Sequence, residues 1–77
     1  MKDRIIIDSS IQHGKPVIKG TRVPISRVLA ELANGSSHKD VIDDYGICEE
    51  DVRAVLVFTA ELIEQDEFHP LPSTKAA

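Results

Sequence analysis

Tryptophan is absent from this sequence, and aromatic residues are scarce: one Tyr and two Phe among 77 residues. A core built without them has to be aliphatic. In a chain this short that means one domain with a marginal core, which a second copy or a bound partner would help to stabilise. Cysteine is almost absent too. The single Cys48 excludes an internal disulfide and fits a reducing, cytoplasmic setting. Long apolar runs are missing: Ile5-Ile6-Ile7 leads straight into Asp8, too short for a signal-peptide core and far below the ~20 residues of a membrane span. The three histidines, His13, His38 and His69, stand far apart, and none pairs with a Cys or carboxylate at metal-ligand spacing. No metal or cofactor is expected.

What is there is charge, unevenly divided. The formal net charge is −4, yet residues 1–35 carry Lys2, Arg4, Lys15, Lys19, Arg22 and Arg27 against Asp3, Asp8 and Glu31, a net +3. Residues 36–77 carry Lys39, Arg53 and Lys75 against ten acids, a net −7. Such asymmetry is what two surfaces with different partners would show, although ordinary solvated faces also produce it.

Arg4 to Asp8 reads as a short strand on its β-branched run, and Pro16-Val17-Ile18-Lys19 as a second extended piece. The stretch GKPVIKGTRVPIS, residues 14–26, packs two Gly, two Pro and three cations around apolar triplets. As a phosphate cradle it fails: Gly20 is followed by Thr21-Arg22 where a P-loop needs Lys and a hydroxyl, and Pro16 lacks an N–H. It reads as a β-arm with two turns leading into a helix.

That helix has Ser26 as its expected N-cap, Ile25, Val28, Leu29, Leu32 and Ala33 at helical spacing, and Asn34-Gly35 as its stop. A second, short helix starts at Ser36-Ser37, with Asp40 completing a capping box on Ser37, and ends at Gly46. The third follows Cys48, with Glu49, Glu50 and Asp51 in its first turn, where acids complement the helix dipole. Val52, Val55, Leu56, Thr59 and Ile63 form one apolar stripe there, while Val57, Phe58 and Ala60 lie outside it. A helix apolar nearly all round is buried on more than one side. The second side is therefore expected to meet another chain, giving a homodimer that buries Val57, Phe58 or Leu62.

The expected fold is mostly α: a three-helix, helix-turn-helix bundle preceded by a short N-terminal β-arm. Residues 1–68 make one domain, with the arm at 1–24, and 69–77 form a flexible Pro-containing tail. No catalytic constellation is present. Cys48 has no His nearby in sequence, and the carboxylate clusters sit at helix ends. In a helix-turn-helix the start of the second helix approaches base edges, but here three acids would repel the groove. Contacts to DNA would have to come mainly from Lys15, Lys19, Arg22 and Arg27.

The order of these residues resembles domain-of-unknown-function family 433. The resemblance rests on Gly14-Lys15-Pro16-Val17-Ile18, Gly20-Thr21-Arg22-Val23-Pro24, Gly35, Asp44-Tyr45 and Glu50-Asp51-Val52. Two departures stand out: Gly46 replaces the Pro usual after the Tyr, and Ile47-Cys48 replaces the usual Leu-Thr/Ser pair, removing a hydroxyl cap. The resemblance implies a homeodomain-like helix-turn-helix and an antitoxin role in a type II toxin–antitoxin pair. The partner it implies is a PIN-like ribonuclease toxin, and the reading built on it leaves room for binding of operator DNA by the same chain. On that reading Glu61, Glu64, Phe68 and Leu71 are the partner-binding residues of a clamp spanning about 61–72. The alternatives are a stand-alone DNA-binding transcriptional regulator and a structural dimerisation module.

Overall fold

Strand β1 (Ile5–Ile6) pairs antiparallel with β2 (Val17–Ile18), setting Ile5 opposite Ile18 and Ile6 opposite Val17 in a computed structural model that describes residues 2–65. The first extended piece is thus two residues, shorter than the expected Arg4–Asp8, because Lys2–Arg4 closes into a 3-10 turn and Ile7 and Asp8 leave the ladder. Between the strands the chain turns through Gln12, His13 and Gly14, all at positive φ, a conformation readily adopted only by the glycine.

Beyond β2 the main chain doubles back on itself. Ile25 N–H donates to Pro16 O, Ile18 N–H to Val23 O and Thr21 N–H to Ile18 O, each at 3.0 Å. The Thr21 hydroxyl donates to Ile18 O at 2.7 Å and accepts Val23 N–H at 3.0 Å. Gly20, at φ 82, makes the tight corner. These bonds explain why Gly-Thr follows the apolar triplet: the pair closes the loop that delivers Pro24 to the first helix.

Three helices follow: α1 (Ile25–Ala33), α2 (His38–Tyr45) and α3 (Glu49–Gln65). Helix α1 begins two residues earlier than expected, with its N-cap at position 24 and not 26. Pro24, extended at ψ 141, holds the N-cap position, and no side chain caps the helix, so Ser26 lies inside the first turn. The end of α1 is a paired-bond stop, with Gly35 N–H on Leu32 O and Ser36 N–H on Glu31 O. Ser37 and Asp40 form the reciprocal capping box of α2, and Gly46 ends that helix in the left-handed region. The Gly46-Ile47-Cys48 turn into α3 has the connectivity of a helix-turn-helix.

The core is aliphatic. Ile5, Val17, Ile18, Ile25, Val28, Val41, Ile47, Val52, Ala54 and Val55 are buried. On α3 the buried face differs from the expected stripe. Phe58 packs against the core, whereas Leu56 and Ile63 stand 41% and 52% exposed. Apolar residues ring this helix, so spacing alone does not choose the inward side. Docking of α1, α2 and the arm onto one face makes the choice. A polar clasp secures the opposite end of α1: Tyr45 donates to Glu31 Oε2 at 3.1 Å and Ser36 to Glu31 Oε1 at 3.3 Å. No described helix is long and apolar enough to cross a membrane.

Candidate interaction surfaces

The four cations assigned to DNA are all exposed, and none forms an ion pair among the described residues. The fold distributes them over the arm and the start of α1. Gln12 links two of them, since Lys15 N–H donates to Gln12 O at 3.1 Å and Gln12 Nε2 donates to Arg22 O at 3.1 Å. Lys19 lies toward the other end, where its N–H bonds Arg4 O at 2.8 Å. It lines a polar cleft there with Asp3, Arg4 and Asp51. Arg27 stands in the first turn of α1.

The start of α3 keeps its three negative charges, but two of them, Asp51 and Glu49, are paired with Arg4 and Arg53, which offsets part of their field. Asp51 accepts the Arg4 guanidinium at 3.0 Å on one oxygen, and the Cys48 N–H at 3.1 Å and Cys48 thiol at 3.3 Å on the other. Burial pushes the Asp51 carboxyl up, but the Cys48 bonds and Arg4 outweigh it and hold the group below its ordinary value. The back-reaching carboxylate supplies half of a capping box where the hydroxyl cap is missing. Glu49 accepts from Arg53 Nε at 3.4 Å and faces His38 Nδ1 at 3.0 Å, joining the starts of α2 and α3. Glu50 is exposed, and its own N–H and the Cys48 thiol hold its carboxyl below the usual range. Arg4 is the functional-looking residue that sequence spacing missed. Its partner lies 47 positions away, and no local pattern reports such a contact.

The far half of α3 is apolar and open. Leu62 is 47% exposed and shares a trough with Ile7, Phe58, Glu61 and Gln65. Glu61 and Glu64, both assigned to partner binding, are exposed beside it, and with Ala60 and Gln65 they line an adjoining hollow. The other two residues of that assignment, Phe68 and Leu71, lie outside the described residues, as does the tail at 69–77. Of the residues assigned to a dimer interface, Val57 and Leu62 are exposed on different sides of α3, and Phe58 is half-buried. Ile7, 62% exposed, joins Leu62 only through the fold. Among the described residues no group of three or more His, Cys, Asp or Glu is placed to hold a metal ion.

Comparison with known proteins adds a family and a fold. Residues 5–59 match the model of a protein family of unknown function, DUF433. A crystal structure of a DUF433 member from Anabaena variabilis superposes with a TM-score of 0.74 at 27% identity, over 80% of this chain and 62% of that one. The crystal structure of Rv2018 from Mycobacterium tuberculosis gives a TM-score of 0.63 at 33% identity, over 68% of this chain but only 24% of that one. An uncharacterised Archaeoglobus fulgidus protein is 56% identical over 23 residues, which is 30% of this chain and 64% of that protein. The chain thus spans less than two thirds of each relative's length.

Proposed function

The chain belongs to the DUF433 family, and we propose that it is an antitoxin-like binding module that holds and neutralises a small PIN-like ribonuclease. One observation carries this reading: an open apolar trough on the far half of α3, built from Ile7, Phe58 and Leu62 and edged by Glu61. Exposed apolar area framed by acids suits a protein partner with a basic rim. A ribonuclease needs a basic groove to hold RNA, and opposite fields steer association and suppress wrong partners. Glu61 and Glu64 would face that groove, with the segment to about residue 72 continuing the clamp.

Co-expression with PIN-like ribonucleases tests the reading, using co-purification and RNA cleavage as readouts. The wild-type chain is expected to co-purify and suppress cleavage. Leu62→Glu, or Glu61→Lys with Glu64→Lys, is expected to release the nuclease while circular dichroism stays unchanged. Neutralisation by these variants at equal stoichiometry would move inhibition away from α3.

A second reading, operator binding by this same chain, is favoured by the exposed cations Lys15, Lys19, Arg22 and Arg27. Engagement of Asp51 and Glu49 in ion pairs lessens the repulsion that the start of α3 would offer to phosphates.

A further inference from the structure

On the side of α3 away from the core, Arg53, Leu56, Ala60 and Ile63 are all exposed, and they recur with the alternating spacing of three and four that defines a heptad seam. Val57 flanks this seam at 39% exposure, and Glu64 follows Val57 by one heptad. Among the described residues nothing covers this face, and Leu62 of the trough is not part of it. Its charges are ordered: Arg53 stands at the N-terminal end of the seam and Glu64 at the C-terminal end. Among the described residues Arg53 pairs with Glu49, at 3.4 Å, and its side chain remains 65% exposed.

We infer that a second copy of this chain covers the face, with the two α3 helices antiparallel. Reversing one helix against the other sets Leu56 of each copy beside Ala60 of its partner copy. The same register brings Arg53 to the level of Ile63 and Glu64 across the two-fold axis. The small Ala60 lets the helices approach closely in the middle, and opposite charges meet at both ends. A parallel pair would instead set Arg53 against Arg53 and Glu64 against Glu64. Antiparallel packing also opposes the two helix dipoles. The interface is isologous, as a two-fold dimer requires. It leaves the trough of Ile7, Phe58 and Leu62 open for capture of another protein, with Glu64 at the border of the two contacts and shared by both readings. The inference does not depend on the ribonuclease reading, since it concerns the purified chain alone.

Sedimentation equilibrium on the full 77-residue chain tests it. A concentration-dependent monomer–dimer equilibrium is expected, and Ala60→Glu is expected to raise its Kd by about tenfold or more. Because Ala60 is exposed, far-UV circular dichroism should not change, and the melting temperature should fall only to the value the wild type shows when diluted below its Kd. Arg53→Glu and Glu64→Arg should each weaken the dimer, and the two together should restore most of it. A monomer at every concentration would overturn the inference and leave the face to another protein or to residues beyond 65. A dimer indifferent to Ala60→Glu but lost on Leu62→Glu would place the contact on the trough. Single charge reversals without effect would refute the antiparallel register.

Discussion

The Arg4 guanidinium donates to Asp51 Oδ1 at 3.0 Å, tying the residue ahead of β1 to the first turn of α3. The arm and the helix-turn-helix are therefore one cooperative body, and the carboxylate acts as the bolt. Its other oxygen accepts two bonds from Cys48, so Asp51 both caps α3 and anchors the arm.

Replacing Asp51 by Asn should lower the melting temperature by roughly 4–8 °C, a shift typical for loss of one such anchor in a domain of this size. The pH dependence has a definite sign. The Asp51 carboxyl is held below its ordinary value in the folded chain. Its contribution is therefore fully present above the unfolded value of about 3.9 and is lost as pH falls through the folded one. Wild-type stability should hold from neutral pH down to about 4 and decline below it. In Asp51→Asn that acid decline should be shallower, with a remainder from Asp8 and Glu50, which are also depressed. Thermal melts at stepped pH would decide. An identical acid limb in wild type and variant would show that Asp51 is not the titrating anchor.

The Thr21 hydroxyl is expected to be irreplaceable by an isosteric methyl. Thr21→Val removes a donor to Ile18 O and an acceptor for Val23 N–H at a half-buried site, with an expected destabilisation of about 1–3 kcal/mol. Thr21→Ser keeps both bonds and should stay close to wild type. Urea unfolding of the pair separates hydrogen bonding from packing. Equal midpoints for Val and Ser would remove Thr21 from the list of residues holding the arm.

Operator binding, where it occurs, should be steeply salt-dependent, because it would rest on Lys and Arg contacts to phosphates with release of counterions. Lys19→Ala and Arg22→Ala should each weaken it about uniformly across DNA sequences and reduce the salt slope by about 1. Fluorescence anisotropy at several salt concentrations reads both effects. Loss of binding on Glu50→Ala, with no response to the cations, would put the contact face at the start of α3.

Local order was legible in the residues themselves. Ser37 with Asp40, Asn34-Gly35 and Gly46 mark helix ends through bonds that span only a few positions, and each operates as its chemistry dictates. The aliphatic character of the core and the division into arm and three helices follow equally from composition and spacing. Tertiary packing alone decided what happens between distant positions: Arg4 on Asp51, Tyr45 on Glu31, His38 beside Glu49, and Ile7 beside Leu62. It also decided which side of α3 faces inward. The apolar residues encircle that helix, so its sequence permits several inward faces. Burial of Val52, Ala54, Val55 and Phe58 against α1, α2 and the arm selects one of them. That selection leaves Leu56, Ala60 and Ile63 facing outward.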